Sequence, residues 1–288
     1  MRSGVALLML AMCLTPGIDG VAKQLGSEYS AFSVSFLRYF AAGIVALAVA
    51  RATGQSVRIP QQGRLGQVVR TALLMGAMTC LIGALSIAPM ATAAGGFLVA
   101  PLVATTIGIF FLGEAPSTPK LIGALLSVTG AAIVLRPETG VSMGALLALA
   151  GGCLLGVYLT ATRVARQTGG TLATLAIQCL LGAALLLPIA LYAGNWPPFT
   201  LLLLGQGAVL GGLSALAHYL TVAAFEREQS STLAPFLYFN LIAALVAGYV
   251  FFGEVPGLVV VLGLCLIVLG GLAALIPTTR GAPRYATL

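Results

Sequence analysis

Phe111-Leu112-Gly113-Glu114-Ala115-Pro116 and Phe251-Phe252-Gly253-Glu254-Val255-Pro256 are one phrase written twice, 140 positions apart. The register holds outward from it in both directions without a gap. Downstream, Gly123, Gly130 and Leu135 fall on Gly263, Gly270 and Leu275; upstream, Gly4, Leu7, Cys13 and Leu14 fall on Gly144, Leu147, Cys153 and Leu154, and cationic Lys23 falls on cationic Arg163. The chain is expected to be two copies of one unit, residues 1–138 and 139–288.

Composition fixes the solvent around those copies. Of 288 residues, 59% are apolar and only 7% charged, a mixture from which no water-facing surface can be built. The expected environment is a bilayer, where one span takes about 20 apolar residues. Breaks at Gly, Pro and charged residues leave ten such stretches, at 4–26, 31–52, 69–88, 91–112, 118–136, 142–164, 170–193, 200–225, 231–252 and 256–276. Arg2 ahead of an apolar run has the look of a secretory leader, but Asp19 and Lys23 lie inside the run and no clear small-x-small cleavage site follows. A retained first helix is expected. All five cysteines fall within spans, where they pack as small apolar side chains and imply neither disulfides nor a metal site.

With the N-terminus inside, eleven of the fourteen Lys and Arg residues collect at cytoplasmic ends, against Lys23, Arg38 and Arg136 on the other side. The positive-inside rule then places both termini in the cytoplasm, and it accounts for the net charge of +7 without a nucleic-acid partner. Five helices is an odd number, so the second copy enters the membrane from the opposite side. The expected fold is an all-α integral membrane protein of ten transmembrane helices in two inverted five-helix repeats. Two inverted copies can hold slightly different conformations, and exchanging them turns an inward-open cavity into an outward-open one. That is the logic of a secondary transporter.

Ala84-Leu85-Ser86-Ile87-Ala88-Pro89-Met90, leading through Pro101 to Phe110-Phe111-Leu112-Gly113-Glu114, has an echo in Ala234-Pro235-Phe236-Leu237 leading to Phe251-Phe252-Gly253-Glu254. This pattern resembles the drug/metabolite transporter superfamily, and more narrowly its ten-helix group built from two EamA units. The resemblance covers nearly the whole chain. It implies a multi-pass protein of a bacterial-type inner membrane that moves small metabolites, with exporters of amino acids, drugs and other metabolites among its members. Leu241 stands where the first repeat has Pro101, which argues against a break at that point of the ninth helix, although Pro235 is placed to supply one earlier.

Few polar residues lie within the spans. Glu114 and Glu254 sit between helices, where a carboxylate favours the positive N-terminal end of the next helix, so both are read as structural. Asp19 and Arg38 each lie seven residues from the outer helix ends, about 10 Å deep at 1.5 Å per residue. Charge at that depth is paired or functional, and they are expected to meet as a structural or gating ion pair. Lys23, one turn beyond Asp19, either shares that carboxylate or snorkels outward. Pro16, after Thr15 near the middle of the first helix, frees the carbonyl of Met12, which makes a kink or a substrate pocket. His218, the single histidine, has Ser214 one turn before it and aligns with Met78, as Tyr219 aligns with Thr79. Tyr158, Phe97, Tyr238 and Asn240 complete the candidate substrate-binding set, on helices one, three, four, six, eight and nine. Helices five and ten carry Gly123 with Gly130 and Gly263 with Gly270, the spacing that lets backbones approach closely.

These readings converge on a transporter, most simply an exporter of amino acids or similar small zwitterions, functioning as a monomer. No catalytic residue, cofactor or metal is expected. The runner-up is a carrier of organic or quaternary-ammonium cations held by cation–π contacts with Tyr158, Tyr238 or Phe97. A channel also has inverted-repeat precedents. An intramembrane enzyme would need a nucleophile beside a base, and the one histidine has no acid near it on its helix.

Overall fold

A computed structural model describes residues 3–57, 64–111, 118–135, 142–164, 171–227, 233, 236, 238–274 and 276. Within these the chain is helical: α1 (Ser3–Glu28), α2 (Ala31–Ala52), α3 (Arg64–Ile87), α4 (Met90–Phe97), α5 (Ala100–Phe111), α6 (Thr118–Leu135), α7 (Met143–Val164), α8 (Thr171–Ala193), α9 (Leu201–Ala208), a π-helical turn (Val209–Leu213), α10 (Ser214–Arg227), α11 (Phe239–Phe252) and α12 (Leu258–Ala274). Among the described residues seven stretches are long and apolar enough to cross a membrane, and three shorter apolar helices, α6, α11 and α12, complete the ten segments read from the sequence.

Local chemistry sets where these helices begin, break and end. Ser30 caps α2 by accepting the N–H of Phe32, and Thr200 caps α9 by accepting that of Leu203. The fourth span breaks after Phe97 and restarts at Ala100, just before Pro101, whose missing N–H suits the first turn of α5. Pro16 and Pro188 lie inside α1 and α8. Contrary to the expectation from Leu241, α11 starts afresh at Phe239 with Tyr238 as its N-cap, close to where the repeat places the start of α5, so the missing proline does not prevent a helix start there. The third span starts at Arg64, earlier than the expected residue 69. Gly253 ends α11 in the left-handed region at φ 66°, and the Glu254 N–H turns back to the Gly248 carbonyl. Glu114 and Pro116, and the structure around Pro235, lie outside the described residues.

Helix pairing follows the repeat. The most extensive contacts join α6 with α12 and α2 with α8, which are equivalent spans of the two copies; α3 with α7 is matched by α1 with α10, and α5 with α7 by α1 with α11. At the α6–α12 seam a Cβ on Gly130 would lie 2.5 Å from the Gly263 carbonyl oxygen, and one on Gly270 would lie 2.5 Å from the Gly123 carbonyl oxygen. Ser127 Oγ donates to the Ile267 carbonyl across the same seam at 3.5 Å. Because 123 faces 270 while 130 faces 263, the two helices run antiparallel. The α2–α8 pair behaves the same way, with Gly43 against Leu180 and Tyr39 against Gly182.

Candidate functional site

Between these pairs lies a cavity of about 330 Å³, at the lower end of the size range for small-molecule sites. Its wall comes from α1, α2, α3, α7, α8 and α10. Thr15, Met78, Tyr158, Ser214 and His218, all singled out in the sequence, line it together. The wall reproduces the repeat: Thr15 and Leu155, Ile18 and Tyr158, Tyr39 and Cys179, Leu74 and Ser214, and Met78 and His218 are each 140 residues apart, and both members of every pair line the cavity. The cavity therefore straddles the relation between the two copies.

Other candidates lie elsewhere. Phe97, the last residue of α4, packs with the core beside Gly151 and Gly152 of α7. Tyr238 is buried, with its ring against Gly271 of α12. Thr79 Oγ1 and Asn240 Oδ1 are buried without hydrogen-bond partners among the described residues, and Pro16 is buried beside the wall without lining it. The fourth and ninth spans thus give no wall residue; α2 and α8 contribute in their place, because these equivalent helices face each other directly.

The polar groups of the wall are held from behind. Thr15 Oγ1 donates to the Ala11 carbonyl at 3.0 Å. The Tyr158 hydroxyl donates to Gln178 Oε1 at 3.4 Å. Arg38 is the only charged side chain on the wall among the described residues. Its Nε donates to Ser214 Oγ at 3.1 Å, and its Nη1 lies 3.7 Å from Asp19 Oδ1. The π turn immediately precedes Ser214. Within it Gly211 seats against α2, where a Cβ would come within 2.5 Å of the Ala41 carbonyl carbon, and Ser214, the first residue after it, reaches Arg38. Such turns recur at functional sites. The adjacent glycines Gly211-Gly212 were the only trace of it in the sequence.

A second polar cluster gathers at the C-terminal end of α1. Lys23 neither shares the Asp19 carboxylate nor points outward. Its Nζ lies 3.0 Å from Glu254 Oε1 and donates to the carbonyls of Leu85 at 2.8 Å and Ala88 at 2.7 Å, beneath the ring of Phe252 at 5.5 Å. Glu254 Oε2 accepts the Met90 N–H at 2.7 Å. The carboxylate thus sits at a helix N-terminus, as its position between helices implied, but that of α4 rather than the tenth span. Sequence reading missed the pairing because Lys23 and Glu254 belong to different copies. The cluster ties the end of α1, the α3–α4 joint and the end of α11, about two helical turns beyond Thr15.

The EamA-like transporter family profile matches residues 2–136 and again 142–276, reproducing the 140-residue offset. The S-adenosylmethionine uptake transporter of Rickettsia bellii is 25% identical over 257 residues, covering 88% of this chain and 86% of that one. The pseudopaline exporter CntI of Pseudomonas aeruginosa is 26% identical over 280 residues, covering 95% and 96%. A solved crystal structure shares the fold at a TM-score of 0.64 and 21% identity, covering 95% of this chain and 96% of that one.

Proposed function

Because this chain belongs to the EamA-like transporter family, a family of carriers and not of enzymes, we propose that it exports amino acids or amino-acid-derived metabolites by alternating access. It works as a monomer in a bacterial inner membrane, with residues 1–138 and 139–288 as inverted repeats and both termini cytoplasmic. The observation that carries this reading is the cavity wall built from repeat mates. Exchange of conformations between two copies re-forms the same wall with its opening on the other side. The antiparallel seams between equivalent helices support the inversion. The Lys23–Glu254 end is then the outer one, and the cavity wall, which reaches from Thr15 to Leu159 and Thr221, extends toward the cytoplasmic ends of α7 and α10, where an intracellular solute enters. Arg38 on the wall disfavours the organic-cation alternative, since a cationic solute would meet a fixed positive charge.

Reconstitution tests this. Proteoliposomes should show saturable flux and counterflow for at least one amino-acid-type solute; unsaturable flux would instead indicate a channel. His218→Ala should raise the half-saturating concentration about fivefold, the equivalent of about 1 kcal/mol for one lost hydrogen bond, with membrane expression intact. A C-terminal fluorescent protein that stays dark in correctly inserted protein would overturn the orientation.

A further inference from the structure

Arg38 and Asp19 form an ion pair that is only half made. At 3.7 Å between Nη1 and Oδ1, the contact exceeds charge-assisted hydrogen-bond length. Neither Arg38 Nη1 nor Asp19 Oδ1 has a hydrogen-bond partner among the described residues, although both atoms are buried. A guanidinium carries five N–H donors in a rigid fork. Among the described residues only Nε makes a hydrogen bond, to Ser214. Buried charge without full hydrogen bonding is costly, and a purely structural pair would be expected to close to hydrogen-bond length. Arg38 nonetheless lines the cavity whereas Asp19 does not.

We propose that Arg38 is the anchor for a carboxylate of the transported solute. With Nη1 buried toward Asp19 and Nε held by Ser214, the donors left for a solute are those of Nη2, which make a charge-assisted hydrogen bond to a carboxylate oxygen in an orientation that Ser214 fixes. Asp19 is a positioning residue: it balances the charge of the empty site from behind the wall and holds the guanidinium toward the cavity. The rest of the solute lies against Thr15, His218 and Tyr158, which offer hydroxyl, imidazole and aromatic contacts but no second fixed charge. The class of solute is thereby narrowed to small carboxylates, amino acids and amino-acid derivatives included, and excludes amines lacking an acid group. This inference rests on the transport reading of the same cavity.

The test is competition in proteoliposomes, with labelled L-methionine and S-adenosyl-L-methionine as probes and matched pairs of amino acids and their carboxamides as competitors. In the wild type, the free acids should inhibit flux at concentrations at least tenfold lower than their carboxamides. Arg38→Lys, which keeps the charge and loses the fork, should weaken the acids severalfold while leaving the carboxamides unchanged. Asp19→Asn combined with Arg38→Gln, a charge-neutral exchange of similar size, should bring acids and carboxamides within about twofold of each other. Saturable wild-type flux with equal inhibition by acid and carboxamide leaves the transport reading standing and overturns the anchor. So does an Arg38→Lys protein with an unchanged acid-to-carboxamide ratio, which settles the matter even where the double variant does not fold. A wild type with no saturable flux of either probe overturns the amino-acid transport reading and the anchor together.

Discussion

Lys23 is the residue whose surroundings say most about stability. Its ammonium has three oxygen acceptors from two distant places in the chain, the Leu85 and Ala88 carbonyls at the end of α3 and the Glu254 carboxylate. Both side chains are largely buried, at 14% and 16% exposure, so solvent can replace little of what either one loses. Removing one member of such a pair strands the other and typically costs about 3 to 5 kcal/mol. Lys23→Ala and Glu254→Ala should each lower the melting temperature of the detergent-solubilised protein, while the double variant should fall short of their sum by about 1 to 3 kcal/mol. Strict additivity would show that the pair is not coupled. The same cycle applied to Asp19→Ala and Asp19→Ala with Arg38→Leu should show the single variant as the less stable of the two. Asp19 and Arg38 were legible in the sequence because intramembrane charges at equal depth on consecutive helices have few other partners. Lys23 was not, because helical spacing offered Asp19 one turn away and gave no hint that Glu254, 231 residues later, reaches the same end.

At the level of helices, the glycine seam was readable and the departures from helical regularity were not. A seven-residue glycine spacing reports one helix face, and in the structure those faces meet as α6 on α12. Since a Cβ at Gly130 would lie 2.5 Å from one backbone oxygen and 2.8 Å from the Ile267 nitrogen, no side-chain rotation relieves it. Gly130→Leu or Gly263→Leu should therefore abolish most of the monodisperse folded yield on size-exclusion chromatography. Gly205→Ala on α9, where nothing lies within 4 Å of the added carbon, should be neutral. Equal yields for all three would remove the seam as a determinant of the fold. The π turn at Val209–Leu213 and the break after Phe97 carry no hydropathy signal, because both occur within continuous apolar sequence. The early start of α3 was missed for the opposite reason: its first turns, with Arg64 and Gln67, are polar and continue the helix past the apolar stretch.

For the whole molecule, the repeat determined more than any motif. An offset of 140 paired Met78 with His218, and both line the cavity. What the offset could not supply is the rotation of each helix about its axis, which turns Tyr238 and Phe97 into packing and brings Tyr39 and Cys179 to the wall. The mates have nonetheless diverged in chemistry. Thr15, Ser214 and His218 stand on the paired helices α1 and α10, while their counterparts Leu155, Leu74 and Met78 stand on the paired helices α7 and α3. A symmetric frame therefore holds a lopsided lining: the α1–α10 flank carries Thr15, Ser214, His218 and Thr221, while the α3–α7 flank offers the Tyr158 hydroxyl alone among the described residues. Exchanging the members of a pair, Met78→His with His218→Met, keeps the inventory of groups constant and moves the imidazole to the opposite flank. That exchange should reduce flux at least tenfold in proteoliposomes, and undiminished flux would mean that only the inventory matters. Under the proposed alternating access the lopsidedness has a directional meaning: a frame that rocks around the solute leaves the solute's heading unchanged, so a metabolite would enter and leave the bundle without turning around.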